Sequence, residues 1–322
     1  MDPEKEKKTE NEKKPGRGRR FLKRAAKIAA GTVVVSAVAT ELVFLIMFGR
    51  NKPVEKTCFP LEDWAAENGL LWSAVEFISG GNTLRGYIVG PKKPRALMLI
   101  AHGMNASSEG WEPVVQYFAE RDLAVMLFDG TATGRSEGER VVGLQQARYD
   151  IRSAIDFIRS SDDYSSLPVV LLGHSAGAYG AAAEAGDEGV CAAVCVSGFD
   201  TPIGTMHRWA RTYAHIFGDI QLPFLAAHEY AALGIEANTS ASAALTASGT
   251  AALVIHGAND DAVPMDISIF GKLEGRADNI ECRLEASPGH DNHSDILVTE
   301  KDGAVNYPLL GSIYDFLESV LP

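Results

Sequence analysis

The run Leu167-Pro168-Val169-Val170-Leu171-Leu172 leads without a break into Gly173-His174-Ser175-Ala176-Gly177, and this junction constrains the fold more than any other segment. A strand that turns sharply into a helix leaves no room for a Cβ beside the apex, so the two glycines have a steric role. Ser175, at the apex, is forced into a strained backbone conformation that lifts its hydroxyl out of the sheet. Gly177, Ala178, Gly180 and the alanines at 181–183 then fit a helix packed tightly on that sheet. The pattern implies an α/β architecture with Ser175 as a candidate nucleophile.

The rest of the folded part has the same alternation of short apolar runs and helical stretches, which predicts a mainly parallel sheet. Residues 74–79 and 83–89, separated by Gly80-Gly81-Asn82, read as a hairpin. Strands are expected at 96–101, 123–128, 190–196, 251–256 and 280–285, with helices at 111–121, 144–160 and 311–321. The rhythm breaks between 198 and 250. Trp209, Tyr213, His215, Phe217, Phe224, His228 and Tyr230 crowd a stretch with no clear strand, and 198–236 is read as a helical lid over the substrate pocket.

The first fifty residues are of another kind. Residues 1–27 carry eleven Lys or Arg against five Asp or Glu and hardly any apolar side chains, so they are expected to form a disordered basic tail. The twenty-one residues from Ile28 to Phe48 follow, long enough at about 1.5 Å per residue to cross a hydrocarbon layer of about 30 Å. Glu41 is their single charged residue, and on insertion scales the apolar side chains outweigh its cost of about 3 kcal/mol. An uncleaved anchor is expected; a signal peptide cut after Ala37-Val38-Ala39 is the rival. The basic residues ahead of the span keep the amino terminus cytoplasmic and put the large domain outside, with 49–71 as a linker and the folded domain at 72–322. The chain's net charge is −12, and without the basic tail the remainder is near −18, which argues against nucleic acid as a partner.

Cys58, Cys191, Cys195 and Cys282 show no zinc-type spacing, so no metal is expected. Cys191 and Cys195, four apart in one strand, would share a face about 13 Å from each other, too far to bridge. Buried thiols are the expectation.

Ser175 needs a base within hydrogen-bond reach and an acid to orient that base, in the chain order Ser, Asp, His. The acid is sought in His256-Gly257-Ala258-Asn259-Asp260-Asp261-Ala262-Val263-Pro264, where Asp260 is preferred to Asp261. The base is sought in Ser287-Pro288-Gly289-His290-Asp291-Asn292-His293, where His293 is preferred and His290 stays open. Backbone N–H groups of Ala176 and of Met104, with Asn105 nearby, are the candidates for an oxyanion hole.

Together HGMN at 102–105, FDGTATGRSEG at 128–138, GHSAG at 173–177 and HGANDDAVP at 256–264 resemble the α/β-hydrolase family over residues 72–321. The resemblance implies an eight-stranded, mostly parallel sheet with helices on both faces, a triad of Ser175, Asp260 and a histidine, and no cofactor. The expected partner is a small-molecule ester, with a peptide as the alternative substrate. A catalytically silent binding domain is the alternative of another class.

Overall fold

A computed structural model describes residues 17–53 and 60–321. Its centre is a sheet of eight strands: β1 (Leu71–Ser79), β2 (Asn82–Gly90), β3 (Ala96–Ala101), β4 (Leu123–Asp129), β5 (Val169–His174), β6 (Val190–Val196), β7 (Ala251–Gly257) and β8 (Ile280–Glu285). Their order across the sheet is β1-β2-β4-β3-β5-β6-β7-β8. β2 runs antiparallel to β1 and β4, and every other pairing is parallel. The central strands β3, β4 and β5 are continuous apolar runs because both faces of the sheet are covered.

The helices are α1 (Arg17–Met47), α2 (Glu62–Glu67), α3 (Glu112–Ala119), α4 (Gln146–Ser160), α5 (Ala176–Ala183), α6 (Pro202–Ala214), α7 (Ile216–Leu233), α8 (Ala241–Ser248), α9 (Ile269–Leu273) and α10 (Tyr307–Val320). Two apolar layers sandwich the sheet. One packs α4, α5, α8 and α9 around Ile151, Ile155, Tyr179 and Leu245; the other packs α3 and α10 around Val115, Phe118, Leu309 and Ile313.

Three sequence expectations change, and one stretch that had no assignment becomes a helix. Residues 17–27, expected to be disordered, continue α1 toward the amino terminus, as the good helix formers Leu22, Lys23, Arg24, Ala25 and Ala26 permit; residues 1–16 lie outside the described residues. The supposed linker is tied down at its start, since Asn51–Pro53 pairs with Thr133–Gly134 and the Val141 N–H donates to the Phe48 carbonyl at 2.8 Å. The Ala/Ser-rich stretch before β7 forms α8, whose Ser240 side chain caps the helix by accepting from the Ala243 N–H. Cys191 and Cys195 fall on opposite faces of β6, because an irregularity at its start puts one extra residue opposite Val169 and Val170. Cys195 is buried, Cys191 and Cys282 are half-buried, all three are free thiols, and Cys58 lies outside the described residues.

The elbow explains its own composition. A Cβ on Gly173 would stand 2.2 Å from the Gly177 carbonyl oxygen, and one on Gly177 would stand 2.1 Å from the Ala101 carbonyl oxygen. Both are backbone contacts that cannot swing aside. Gly177→Ala should therefore cost on the order of 3 kcal/mol, measured by urea unfolding; a variant as stable as the parent would mean that β3 and α5 can separate without loss.

Candidate active site

The strands β3, β5, β7 and β8 all end on one edge of the sheet, and the loops beyond them converge there. β5 delivers Ser175 at positive φ (φ 55°, ψ −115°), the strained setting expected of a residue squeezed between a strand and α5. The loop after β7 delivers Asp260, and the loop after β8 delivers His293. His293 Nε2 lies 3.0 Å from Ser175 Oγ, and His293 Nδ1 lies 2.8 Å from Asp260 Oδ2.

Hydrogen-bond chemistry sets the direction of this chain. The carboxylate of Asp260 accepts from His293 Nδ1–H, which leaves Nε2 unprotonated and able to accept from the Ser175 hydroxyl. The other oxygen of Asp260 accepts from the Val263 N–H at 2.8 Å, so the carboxylate is held at both ends. Burial pushes the Asp260 carboxyl up. The hydrogen bond and charge of His293, the Val263 N–H and the His256 charge outweigh it and leave the carboxyl below its usual range. Asp261 is exposed, and His290 donates through Nδ1 to the Asp295 carbonyl at 2.7 Å. The structure thus brings Asp260 and His293 to Ser175, and holds Asp261 and His290 elsewhere.

Gly103 passes close to the nucleophile, with a Cβ there falling 3.1 Å from Ser175 Cβ, so the backbone entering Met104 borders the reacting atom. Ala176 opens α5, where the first amides of a helix have no partner within it. His102 braces the Met104 loop. Its Nδ1–H donates to the Gly103 carbonyl at 2.8 Å, and its Nε2 accepts from the Gly130 N–H at 2.9 Å. Asp129 braces the same loop further on, accepting from the Ser108 N–H at 2.6 Å and from the Arg135 N–H at 2.8 Å.

His174 escaped the sequence reading, in which it was only the variable residue of the elbow. It donates through Nε2 to the His293 carbonyl at 2.8 Å and so holds the base segment against β5. Burial, followed by the repulsion of His293, pushes its imidazole down to about 4. The signal that could have found it is its position one residue before the nucleophile, where a side chain faces the incoming base loop.

Ser175 and His293 open onto a cleft of about 580 Å³ walled by 103–111 and 294–300. A second cavity of about 50 Å³, almost wholly apolar, lies behind Met104 and Ala176 and is lined by Phe128, Val141, Leu144 and Ala147. Residues 198–236 form α6, α7 and a short turn, and none of them is among the residues lining the Ser175 cleft.

An esterase from Pyrococcus furiosus superposes with a TM-score of 0.62 at 16% identity, covering 84% of this chain and 100% of that one. Est1E from Butyrivibrio proteoclasticus, a structure with ferulic acid bound, superposes with a TM-score of 0.57 at 18% identity over 76% of this chain and 98% of its own. The family model described as Hydrolase_4, serine aminopeptidase, S33, matches residues 92–230. The chain has the α/β-hydrolase fold. Among curated relatives, the chain is 36% identical over 85 residues to the human monoglyceride lipase and 34% identical over 95 residues to a monoacylglycerol lipase of Mycolicibacterium smegmatis. These alignments reach 28% and 33% of the two proteins' lengths, and 26% and 27% of this chain.

The depressed His174 imidazole makes folding depend on acid. Its folded value, about 4, lies below its ordinary 6.5, so its contribution is complete above pH 6.5 and is lost as pH falls toward 4. The loss is bounded at roughly 3 kcal/mol. Urea midpoints between pH 7 and pH 4 should fall less steeply in His174→Gln than in the parent; parallel curves would remove His174 from this role.

Proposed function

We propose that the hydrolase cleaves carboxylic esters through an acyl-enzyme on Ser175. The observation that carries this reading is the unbroken line of hydrogen bonds from Ser175 Oγ to His293 to the buried Asp260. Ser175 Oγ attacks the carbonyl carbon while its proton passes to His293 Nε2, and Asp260 stabilises the imidazolium that results. The carbonyl oxygen gathers negative charge between the N–H groups of Met104 and Ala176. The tetrahedral adduct then collapses, His293 returns the proton to the departing alkoxide, and the acyl group stays on Ser175. A water, deprotonated by the same imidazole, repeats the sequence and releases the acid.

The names of the lipase and esterase relatives favour an ester over other acyl substrates. The description of the matched family model keeps amides as a second reading, since an aminopeptidase would use the same three side chains. α1 is read as an uncleaved single-pass anchor with its amino terminus cytoplasmic and the catalytic domain outside. That topology is supported by its 28 apolar-rich residues from Arg20 to Met47 and by the basic cluster ahead of them.

Ser175→Ala should lower turnover of a short p-nitrophenyl ester by at least about 10³-fold and abolish labelling by a fluorophosphonate probe. Persistent turnover or labelling elsewhere would refute the assignment. His293→Ala should lose a comparable factor and His290→Ala only a few-fold; the reverse result would exchange the two histidines. Matched ester and aminoacyl p-nitroanilide substrates, assayed together, should show the ester consumed faster, and an amide preference would replace the esterase reading with the peptidase one.

A further inference from the structure

We propose that α7 is a second membrane-embedded element of this protein, seated in the same leaflet as the end of α1 and held there by it; the proposal rests on reading α1 as a membrane anchor. Ser36, Thr40, Phe44 and Phe48 are buried at a spacing of four residues, which puts them on one stripe of α1. That stripe meets α7. The Thr40 hydroxyl donates to Gln221 Oε1 at 3.0 Å, and Gln221 Nε2 donates in turn to Ser36 Oγ at 3.3 Å. His228 Nδ1–H donates to Glu41 at 2.9 Å, and the His228 ring stacks on Phe44 with centroids 3.6 Å apart. The one charged residue of the apolar span therefore has its partner on α7, and the polar side chains of the seam satisfy one another, as an apolar medium requires.

The depth argument follows from length. Crossing a hydrocarbon layer of about 30 Å takes essentially all of Ile28–Phe48 at about 1.5 Å per residue. The last thirteen of those residues, from Ser36 onward, carry α7 on their buried stripe, and Phe44 and Phe48 end in the core of the domain. There is no slack to draw the domain away from the surface, because residues 49–53 pair directly with 133–141. Gln221 thus stands beside residues roughly 12–18 Å along α1 from Phe48. The turn between α6 and α7 lies still further from the domain.

The surface of that turn has the matching chemistry. Tyr213, Ile216 and Phe217 are 85%, 71% and 66% exposed, with Ile220 open beside them, and Val34, Val38, Leu42 and Ile46 of the adjoining α1 are exposed as well. The nearby charges are paired: Asp219 accepts from His207 at 2.9 Å and lies 3.5 Å from Arg211. A lipid bilayer is the occupant that covers both apolar faces at once, since it already surrounds α1.

The test uses the full chain in phosphatidylcholine vesicles with single cysteines introduced at Val34→Cys, Phe217→Cys and Asp278→Cys. Reaction with a membrane-impermeant maleimide is read site by site by peptide mass spectrometry, so the native cysteines do not interfere. Position 278, an exposed loop, should react at least tenfold faster than 34 and 217, and all three should react alike once sodium dodecyl sulfate has dissolved the vesicles and unfolded the chain. Protection at 34 with free reaction at 217 overturns the proposal and leaves the anchor standing. Free reaction at both overturns the anchor reading and this proposal with it. Neither outcome depends on ester hydrolysis, which the Ser175→Ala assay judges separately.

Discussion

Two backbones meet at the elbow: α5 lies so near the end of β3 that a methyl group on Gly177 would overlap the Ala101 carbonyl oxygen. The site depends on that contact. It brings the amide of Ala176 and the loop entering Met104 to the same side of Ser175, and it holds Ser175 in a conformation that an L-residue adopts only under constraint. The strain is affordable because β5 is paired on both sides by β3 and β6 and buried on both faces. A looser turn would keep the sheet and lose the geometry.

A second layer of contacts keeps the loops where the elbow needs them. His102, Asp129 and His174 touch the site through backbone groups of Gly103, Ser108 and His293 respectively. The bonds of His102 to Gly130, Asp129 to Ser108 and His174 to His293 each join a strand end to a neighbouring loop, so the ends of β3, β4 and β5 and the segment after β8 form one braced rim. Asp260 belongs to the same arrangement, since Val263 holds one of its oxygens while the other meets His293. Such bracing suits a site whose reacting groups come from loops more than a hundred residues apart in the chain.

α1 is bound to the domain by a stripe that changes character along its length, polar at Ser36 and Thr40 and aromatic at Phe44 and Phe48. The aromatic half enters the domain core and the polar half pairs with α7. α1 and the domain are therefore one packed unit, and the orientation of the cleft relative to α1 is set by this seam.

Periodicity and turn chemistry were enough to place the strands at 96–101, 190–196 and 280–285 and the nucleophile at its elbow, because buried strands are short apolar runs and the elbow tolerates only glycine beside it. The order Ser175, Asp260 and a histidine was legible for the same local reason: each sits just beyond a strand. Choosing His293 over His290 was not decided locally, since both lie in one loop and only the fold of that loop around Asp295 turns one toward Ser175. The bulge that parts Cys191 from Cys195 and the partner of Glu41 were likewise beyond the sequence. Local pattern determines which residues are buried and where the chain must turn; which distant side chains then meet is a matter of three-dimensional packing, and only the assembled sheet and its loops decide it.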